Sequence, residues 1–257
     1  MFNRPALVYR CDGTLDGLLC CVFESYVRKE EPMDILEEEG TLFPCREIET
    51  DPQKAARVAR SLLKISQRVF DLVQEGMLSA MPGRGMVVYR FIRLAYQVGD
   101  KAAMLLTNDT VATLHRWTSQ LRHEAHLYTG FVRFTDWQGA LVAKIEPKGQ
   151  VLPLIAGHFA GRYPGERFLI FDAVHRMALV HQPGRTAILP VEDLELPPTT
   201  PEEAQCRRLW RAYHQAISIQ ERENPRAQRG HLALRYRGQM TEFQSDDPSG
   251  APPKALP

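Results

Sequence analysis

Histidine and carboxylate side chains in the segment LRHEAHLYTG (residues 121–130) could bind a metal ion or transfer protons. His123, Glu124 and His126 lie there within four positions. Each helical residue advances about 100°, so Glu124 and His126 differ by roughly 200° and point to nearly opposite sides. The zinc-protease pattern also needs two histidines four positions apart, whereas these are three apart. We therefore reject that pattern and expect Gly130 to form the left-handed cap of a helix with His126 in its last turn.

Three further residues could join His126 in one site. Glu146 and Asp172 each end a predicted strand, and His158 lies on a short predicted helix, four positions before Arg162. Scaffolds often present functional groups at element ends, and carboxylates with imidazoles suffice for metal ligation or acid–base catalysis. The candidate catalytic cluster is His126, Glu146, His158 and Asp172, with a bound metal as one version of it. The alternative is four unrelated surface residues.

Positive charge is concentrated in two segments. Five cations after Asp51 fall within about a 120° arc of a helix, with no acidic residue among them. They are Lys54, Arg57, Arg60, Lys64 and Arg68. The C-terminal segment NPRAQRGHLALRYRGQM carries Tyr236 among Arg226, Arg229, Arg235 and Arg237.

These two basic segments suggest contacts with nucleic acid. A stripe of one sign could follow a phosphate backbone, and arginines beside a stacking aromatic suit single-stranded nucleic acid. For the stripe, the alternative is a solvated face balanced by acids elsewhere in the fold. For the C-terminal segment, it is docking of an extension onto the domain.

The elements that must position these residues fall into a helix-rich and a sheet-rich stretch. Up to residue 130 we expect short strands in PALVYR and CREIE, a helix capped by Thr14, and a long amphipathic helix opened by Asp51. Residues 131–191 show strand patterns, with a tight hairpin turn at Gln138-Gly139 and one inserted helix. The order predicts an α+β fold in which a helix-rich N-terminal half packs with a mostly antiparallel sheet formed by the second half.

The expected domain organisation is one α+β domain over residues 1–243. Its parts are a helix-rich region (1–130), a sheet-rich region (131–191) and a C-terminal helical and basic extension (200–243). Residues 244–257 are small, polar and proline-rich, which predicts a disordered tail.

Composition restricts the function further. The 257 residues carry a net charge of +1, which argues against an overall basic coat. The five cysteines include no Cys-x-x-Cys pair, so we expect reduced thiols, no iron–sulfur cluster, and any redox cofactor on a partner. The sequence has no phosphate-binding loop, dinucleotide fingerprint or Gly-x-Ser-x-Gly motif. A cytoplasmic protein is expected, because neither a signal peptide nor a membrane span is evident.

A succession of segments resembles the uncharacterised bacterial family described as probable DNA metabolism proteins. The segments are YRCDGTLDGLLCCVFESY, ETDPQKAARV, EAHLYTGFVRF, KIEPKGQVLPLIAGHFAGRY, FLIFDAVHR and LWRAYHQAISIQERENPRAQRGHLALRYRGQMTEF. Members of that family are encoded beside a radical-SAM protein related to DNA photoproduct lyases, or are fused to a uracil-DNA-glycosylase domain. The pieces EAH, GF.RF, EP, LPL..HF and D..R of its pattern fall here on Glu124, His126, Arg133, Glu146, His158, Asp172 and Arg176.

The resemblance implies a role in DNA repair or DNA modification. We expect a protein that binds damaged or single-stranded DNA and acts with a radical-SAM or uracil-DNA-glycosylase partner, with no cofactor in this chain. One alternative is a metal-dependent hydrolase or nuclease acting on DNA. Another is a protein-interaction scaffold that does not bind DNA.

Overall fold

The fold is that of a computed structural model, which describes residues 7–38, 40–192, 194, 200–217, 224, 226–227, 230, 232–238, 240 and 243. The chain divides into two compact units, Met1–His123 and Glu124–Pro257. The predicted class is confirmed, because helices dominate the first half and a mostly antiparallel five-stranded sheet lies in the second. The single domain over 1–243 stays a prediction, and the predicted tail lies outside the described residues.

The first unit contains a small parallel sheet and several helices. Its strands are β1 (Val8–Arg10), β2 (Asp34–Leu36) and β3 (Cys45–Glu47) in the order β2-β1-β3. The helices are α1 (Leu15–Arg28), α2 (Pro52–Ile65), α3 (Gln67–Leu78), α4 (Arg84–Val98) and a 3₁₀ turn (Gly99–Met104), and α5 begins at Asp109. Both neighbours of β1 pair with it in parallel. The short strands predicted in PALVYR and CREIE are confirmed as β1 and β3, whereas β2 and the parallel pairing were not predicted. The helix α1 provides the long crossover that the parallel β1–β2 pair needs.

The prediction of one long helix after Asp51 is wrong, because the structure has two helices there, α2 and α3. Asp51 does cap the start of α2, accepting a hydrogen bond from the Gln53 backbone N–H at 2.8 Å. At Ser66, however, the backbone is extended (φ −170°, ψ 139°), and the Ser66 hydroxyl caps α3 by accepting from the Arg68 N–H at 3.2 Å. The apolar spacing continues across this break because α2 and α3 bury their faces in the same core.

The second unit is built around a five-stranded sheet. Its strands are β4 (Thr135–Trp137), β5 (Ala140–Ile145), β6 (Phe168–Asp172), β7 (Met177–Gln182) and β8 (Arg185–Pro190), ordered β4-β5-β6-β7-β8. Only β5 and β6 pair in parallel, and α6 (Leu152–Arg162) makes their crossover. Two helices that follow the sheet in the chain are α7 (Pro201–Ile217) and α8 (Leu234–Arg237).

Two turn predictions in this region have opposite outcomes. The hairpin at Gln138-Gly139 is confirmed, because both residues have positive φ (51° and 77°), as a type I′ turn requires. The left-handed cap at Gly130 is wrong. The helix α5 (Asp109–Phe131) continues through Gly130, which is not among the residues of positive φ, so His126 lies before the last turn.

A membrane-spanning helix needs about 20 consecutive, mostly apolar residues. Within the described ranges, none of the helices is both long and apolar enough to cross a bilayer.

Candidate functional site

Two members of the predicted catalytic cluster lie at one end of the five-stranded sheet. Ile145 pairs with Asp172 in parallel register, so Glu146 follows at the end where β6 also finishes. Asp172 is buried (1% exposed), whereas Glu146 is exposed. His126 and His158 are exposed on α5 and α6.

A zinc site is built from three or four ligand side chains that converge on one point. In the part of the chain that the structure describes, no group of three or more His, Cys, Asp or Glu side chains is arranged to hold a metal ion. The shared catalytic site and its metal therefore stay predictions.

Asp172 has a partner that the sequence reasoning missed. Its Oδ2 lies 2.7 Å from Nδ1 of His175, and its Oδ1 accepts from the backbone N–H groups of Val174 (3.0 Å) and His175 (3.1 Å). The carboxylate thus both closes the β6–β7 turn and orients an imidazole. When Nδ1 carries the proton, Nε2 is the free acceptor. An aspartate two and three residues before the N–H groups it caps is a local signal that could have been recognised.

Glu124 is a buried anchor of the second unit. It is 6% exposed and accepts hydrogen bonds from the backbone N–H groups of Lys148 and Gly149, each at 3.0 Å. Arg235 of α8 makes an ion pair with it at 3.0 Å. Burial of Glu124 beside exposed His126 confirms that the two side chains point to different sides of α5.

The C-terminal segment docks through aromatic contacts around this ion pair. Tyr236 is 4% exposed, and its ring centroid lies 5.2 Å from that of Tyr128 and 5.4 Å from that of Phe131. The Arg235 guanidinium lies 4.6 Å from the Tyr236 ring. Burial raises the pKa of Tyr128 and of Tyr236, so both phenols stay protonated at neutral pH.

The arginines predicted to bind nucleic acid in this segment differ in their surroundings. Arg235 is held by Glu124 and Tyr236, and Arg237 lies 4.7 Å from the Phe243 ring. Docking of the extension, the alternative considered for this segment, is what the structure shows for α8. Arg226 is exposed, and Arg229 lies outside the described residues. A role of these arginines in DNA binding stays a prediction.

The basic stripe of the first unit is partly balanced by acid. Lys54 Nζ lies 2.9 Å from the Glu24 carboxylate, and this hydrogen bond, opposed by burial, lowers the pKa of Glu24. Arg68 belongs to α3 and therefore does not continue the α2 face. Arg57, Arg60, Lys64 and Arg68 are exposed.

A cleft in the second unit combines arginines with aromatic rings. Its volume is about 650 Å³, and we call it the arginine–aromatic cleft. Its lining includes Arg133, Phe134, Arg162, Tyr163, Arg207 and Trp210. It lies at the sheet end where β5 and β6 begin, because Leu141 of the lining pairs with Phe168. Glu146 and Asp172 are therefore at the opposite end of the sheet.

Aromatic packing gives the cleft a firm floor. The Phe134 ring centroid lies 5.6 Å from that of Phe159, 5.5 Å from that of Tyr163 and 5.9 Å from that of Phe168. Such edge-to-face contacts stabilise an aromatic cluster in addition to the stabilisation that comes from burying apolar area. Trp210, by contrast, is 41% exposed and can offer a ring to a ligand.

The three arginines of the cleft are oriented by different partners. Arg133 donates to the Gly130 carbonyl at 2.9 Å. Arg162 lies 5.7 Å from the Tyr163 ring and donates to its hydroxyl at 3.3 Å. Arg207 pairs with Glu203 at 2.8 Å and donates to the Thr135 hydroxyl at 2.7 Å.

The cleft lining is positive overall, since it contains three arginines against Glu203. Its cations and the exposed ring of Trp210 can bind an anionic, aromatic ligand. The sequence pointed to Arg133 through the resemblance and to Arg162 through its spacing from His158. It did not single out Arg207 or Trp210, which reach the cleft only because α7 packs there.

Comparison with protein families matches most of the chain to a known domain. The model of a domain of unknown function, DUF4130, matches residues 82–242. The matched region contains the arginine–aromatic cleft, Glu124 and Asp172, but not the cations of α2. No curated protein and no solved structure matches the chain.

Proposed function

The chain belongs to the DUF4130 family, whose function is unknown, and from that premise we propose that it is a DNA-metabolism protein that binds strands with unpaired bases. One observation carries this proposal: the arginine–aromatic cleft lies within the family region and combines Arg133, Arg162 and Arg207 with Tyr163 and Trp210. Damaged and single-stranded DNA are the ligands that such a cleft suits.

An unpaired DNA strand exposes the faces of its bases as well as its phosphates. Base faces are covered in a duplex, but in a single strand they can stack on aromatic side chains, which contributes roughly 1–3 kcal/mol per base. The phosphates beside each base are attracted to the guanidinium groups. The exposed ring of Trp210 and the guanidinium of Arg162 supply both kinds of contact in one cleft.

We propose in addition that a separate partner performs the chemistry. A radical-SAM repair enzyme or a uracil-DNA-glycosylase-like protein is the partner implied by the resemblance of the segments quoted above. In this proposal the chain holds the strand and the partner modifies or excises the base.

Fluorescence anisotropy with a labelled oligo-dT strand and a duplex of equal length tests the DNA-binding proposal. We expect tighter binding of the single strand and a loss of affinity with rising salt. Arg162→Glu should weaken binding at least about tenfold, close to 1.4 kcal/mol. It should also reduce the slope of log affinity against log salt by about 0.7 for each phosphate that the variant no longer neutralises.

Arg185→Glu is the matched control, because Arg185 is an exposed arginine of the same unit that does not line the cleft. Equal effects of the two charge reversals, or equal affinity for the duplex, would contradict the proposal.

A further inference from the structure

The first unit has an apolar groove that the proposed DNA binding does not use. The groove measures about 450 Å³ and lies among α1, α2 and α4. We call it the α1–α2 groove. Its lining includes Phe23, Tyr26, Val27, Arg57, Val58 and Tyr96. Two of these apolar side chains face solvent to an unusual extent, since Val27 is 63% and Tyr26 46% exposed.

The aromatic wall of this groove is fixed by contacts within the unit. The rings of Tyr26 and Tyr96 meet edge to face with centroids 5.6 Å apart, and Tyr96 hydrogen-bonds the Ser61 hydroxyl. The Arg93 guanidinium lies 4.5 Å from the Tyr26 ring. Burial raises the pKa of both tyrosines, which keeps them neutral. The groove is therefore a preformed apolar surface.

A cationic edge runs along α2 beside the groove. Arg57 lines it, with its guanidinium 5.8 Å from the Phe23 ring. Arg60 and Lys64 follow at helical spacings of three and four, and all three cations are exposed. The nearby acids meet other cations, because Glu24 pairs with Lys54 and Glu31 with Arg93.

We propose that the α1–α2 groove docks a segment of a partner protein in which an apolar side chain is flanked by acidic residues. The apolar anchor would fill the space beside Val27, Val58 and Tyr96, and the carboxylates would meet Arg57, Arg60 and Lys64. Although aromatic rings line the groove, Arg93 lies over the Tyr26 ring, and Lys54 and Arg57 lie over the Phe23 ring. A nucleobase needs free ring faces for stacking, so this lining favours an aliphatic or aromatic anchor instead. This inference does not rest on DNA binding by the arginine–aromatic cleft.

A phage-displayed library of random dodecapeptides, panned on the full chain, tests this inference even while the partner is unidentified. We expect enriched peptides to share a large apolar residue flanked by Asp or Glu. A synthetic copy of an enriched peptide should lose at least about tenfold in affinity with Val27→Glu or Arg57→Glu, and little with Arg185→Glu. The first two variants change exposed side chains, so circular dichroism should show unaltered folding.

Several outcomes would overturn the inference. They are a failure to enrich any peptide, enrichment of peptides without acidic residues, and binding that survives both groove variants. Oligo-dT binding that is lost in Val27→Glu and Arg57→Glu would assign the groove to nucleic acid instead and would also overturn it. Loss of oligo-dT binding in Arg162→Glu concerns the cleft alone, so the two proposals fail separately.

Discussion

Glu124 is a buried carboxylate that accepts hydrogen bonds from two backbone amides and forms an ion pair with Arg235. Glu124→Ala should lower the free energy of unfolding by about 2 kcal/mol, because the amides and the guanidinium lose a charged acceptor. Urea denaturation followed by circular dichroism measures this change. Glu166→Ala, at an exposed acid of the same unit, is the control. Equal losses in the two variants would show that the Glu124 contacts do not stabilise the unit.

A variant at Trp210 distinguishes the contribution of base stacking to DNA affinity from that of charge. Trp210→Ala should weaken oligo-dT binding by roughly tenfold, since stacking on one base contributes about 1–3 kcal/mol. The salt dependence should stay the same, because removing an indole releases no counterion. The exposed Trp137 of β4 does not line the cleft and provides the matched control, Trp137→Ala. An altered salt slope in Trp210→Ala would argue against stacking.

Glu24 should make stability depend on pH. Its hydrogen bond with Lys54, opposed by burial and aided by Arg28, lowers the pKa of the folded carboxyl. A lowered folded-state pKa gives stability that is present above the unfolded value, about 4.3, and is lost as pH falls through the folded pKa. Glu24→Gln should therefore be less stable than the natural chain at pH 7 and nearly equal to it at about pH 3.

Urea titrations at the two pH values measure this difference. Glu49→Gln, at an exposed acid of the same unit, should change little at either pH. A stability loss in Glu24→Gln that persists undiminished in acid would show that the ion pair is not its cause.

At the scale of single residues, the sequence predicted the side-chain directions that local helix geometry determines. The opposite orientation of Glu124 and His126 follows from the helical turn alone. The Glu124–Arg235 pair joins residues far apart in the chain, and nothing in the spacing indicates it. Glu124 lies on the buried face of α5 with Ala125 and Tyr128. Because buried charges are normally paired, its position there indicates that it has a partner, but not which residue that partner is.

The break between α2 and α3 depends on the cap at Ser66. Ser66→Ala should cost about 1 kcal/mol of unfolding free energy, because the first turn of α3 loses its side-chain acceptor. Ser119→Ala, at an exposed position inside α5, should be neutral or slightly stabilising, since alanine is the better helix former. Urea denaturation compares them. A Ser66→Ala variant as stable as the natural chain would indicate that packing alone fixes the break.

At the scale of helices and strands, the apolar spacing predicted which helix faces are buried better than it predicted where each helix ends. The hairpin at Gln138-Gly139 was predictable because few residue pairs accept positive φ at both positions. The continuous helix was not correct, since apolar residues three and four apart remain in phase across the extended Ser66. Gly130 was misassigned because glycine permits a left-handed cap without requiring it.

At the scale of the whole molecule, the order of helical and strand patterns sufficed for the fold class. In the first unit, the sequence predicted β1 and β3, but it did not predict β2, which has only three residues, too few to show a period. The division after His123 was also not visible in the sequence, since it falls inside α5. The arginine–aromatic cleft assembles side chains from separated segments, so only the folded second unit reveals it.

The natural cysteines allow the central claim to be tested on the unaltered chain. Cys206 lines the arginine–aromatic cleft and is exposed, whereas Cys45 is exposed in the first unit. Alkylation of both thiols by N-ethylmaleimide, followed by peptide mass spectrometry, gives a rate for each. With oligo-dT at ten times its Kd, we predict that Cys206 reacts about tenfold more slowly while Cys45 is unaffected. Equal rates for Cys206 with and without bound oligo-dT would contradict the assignment of this cleft to DNA.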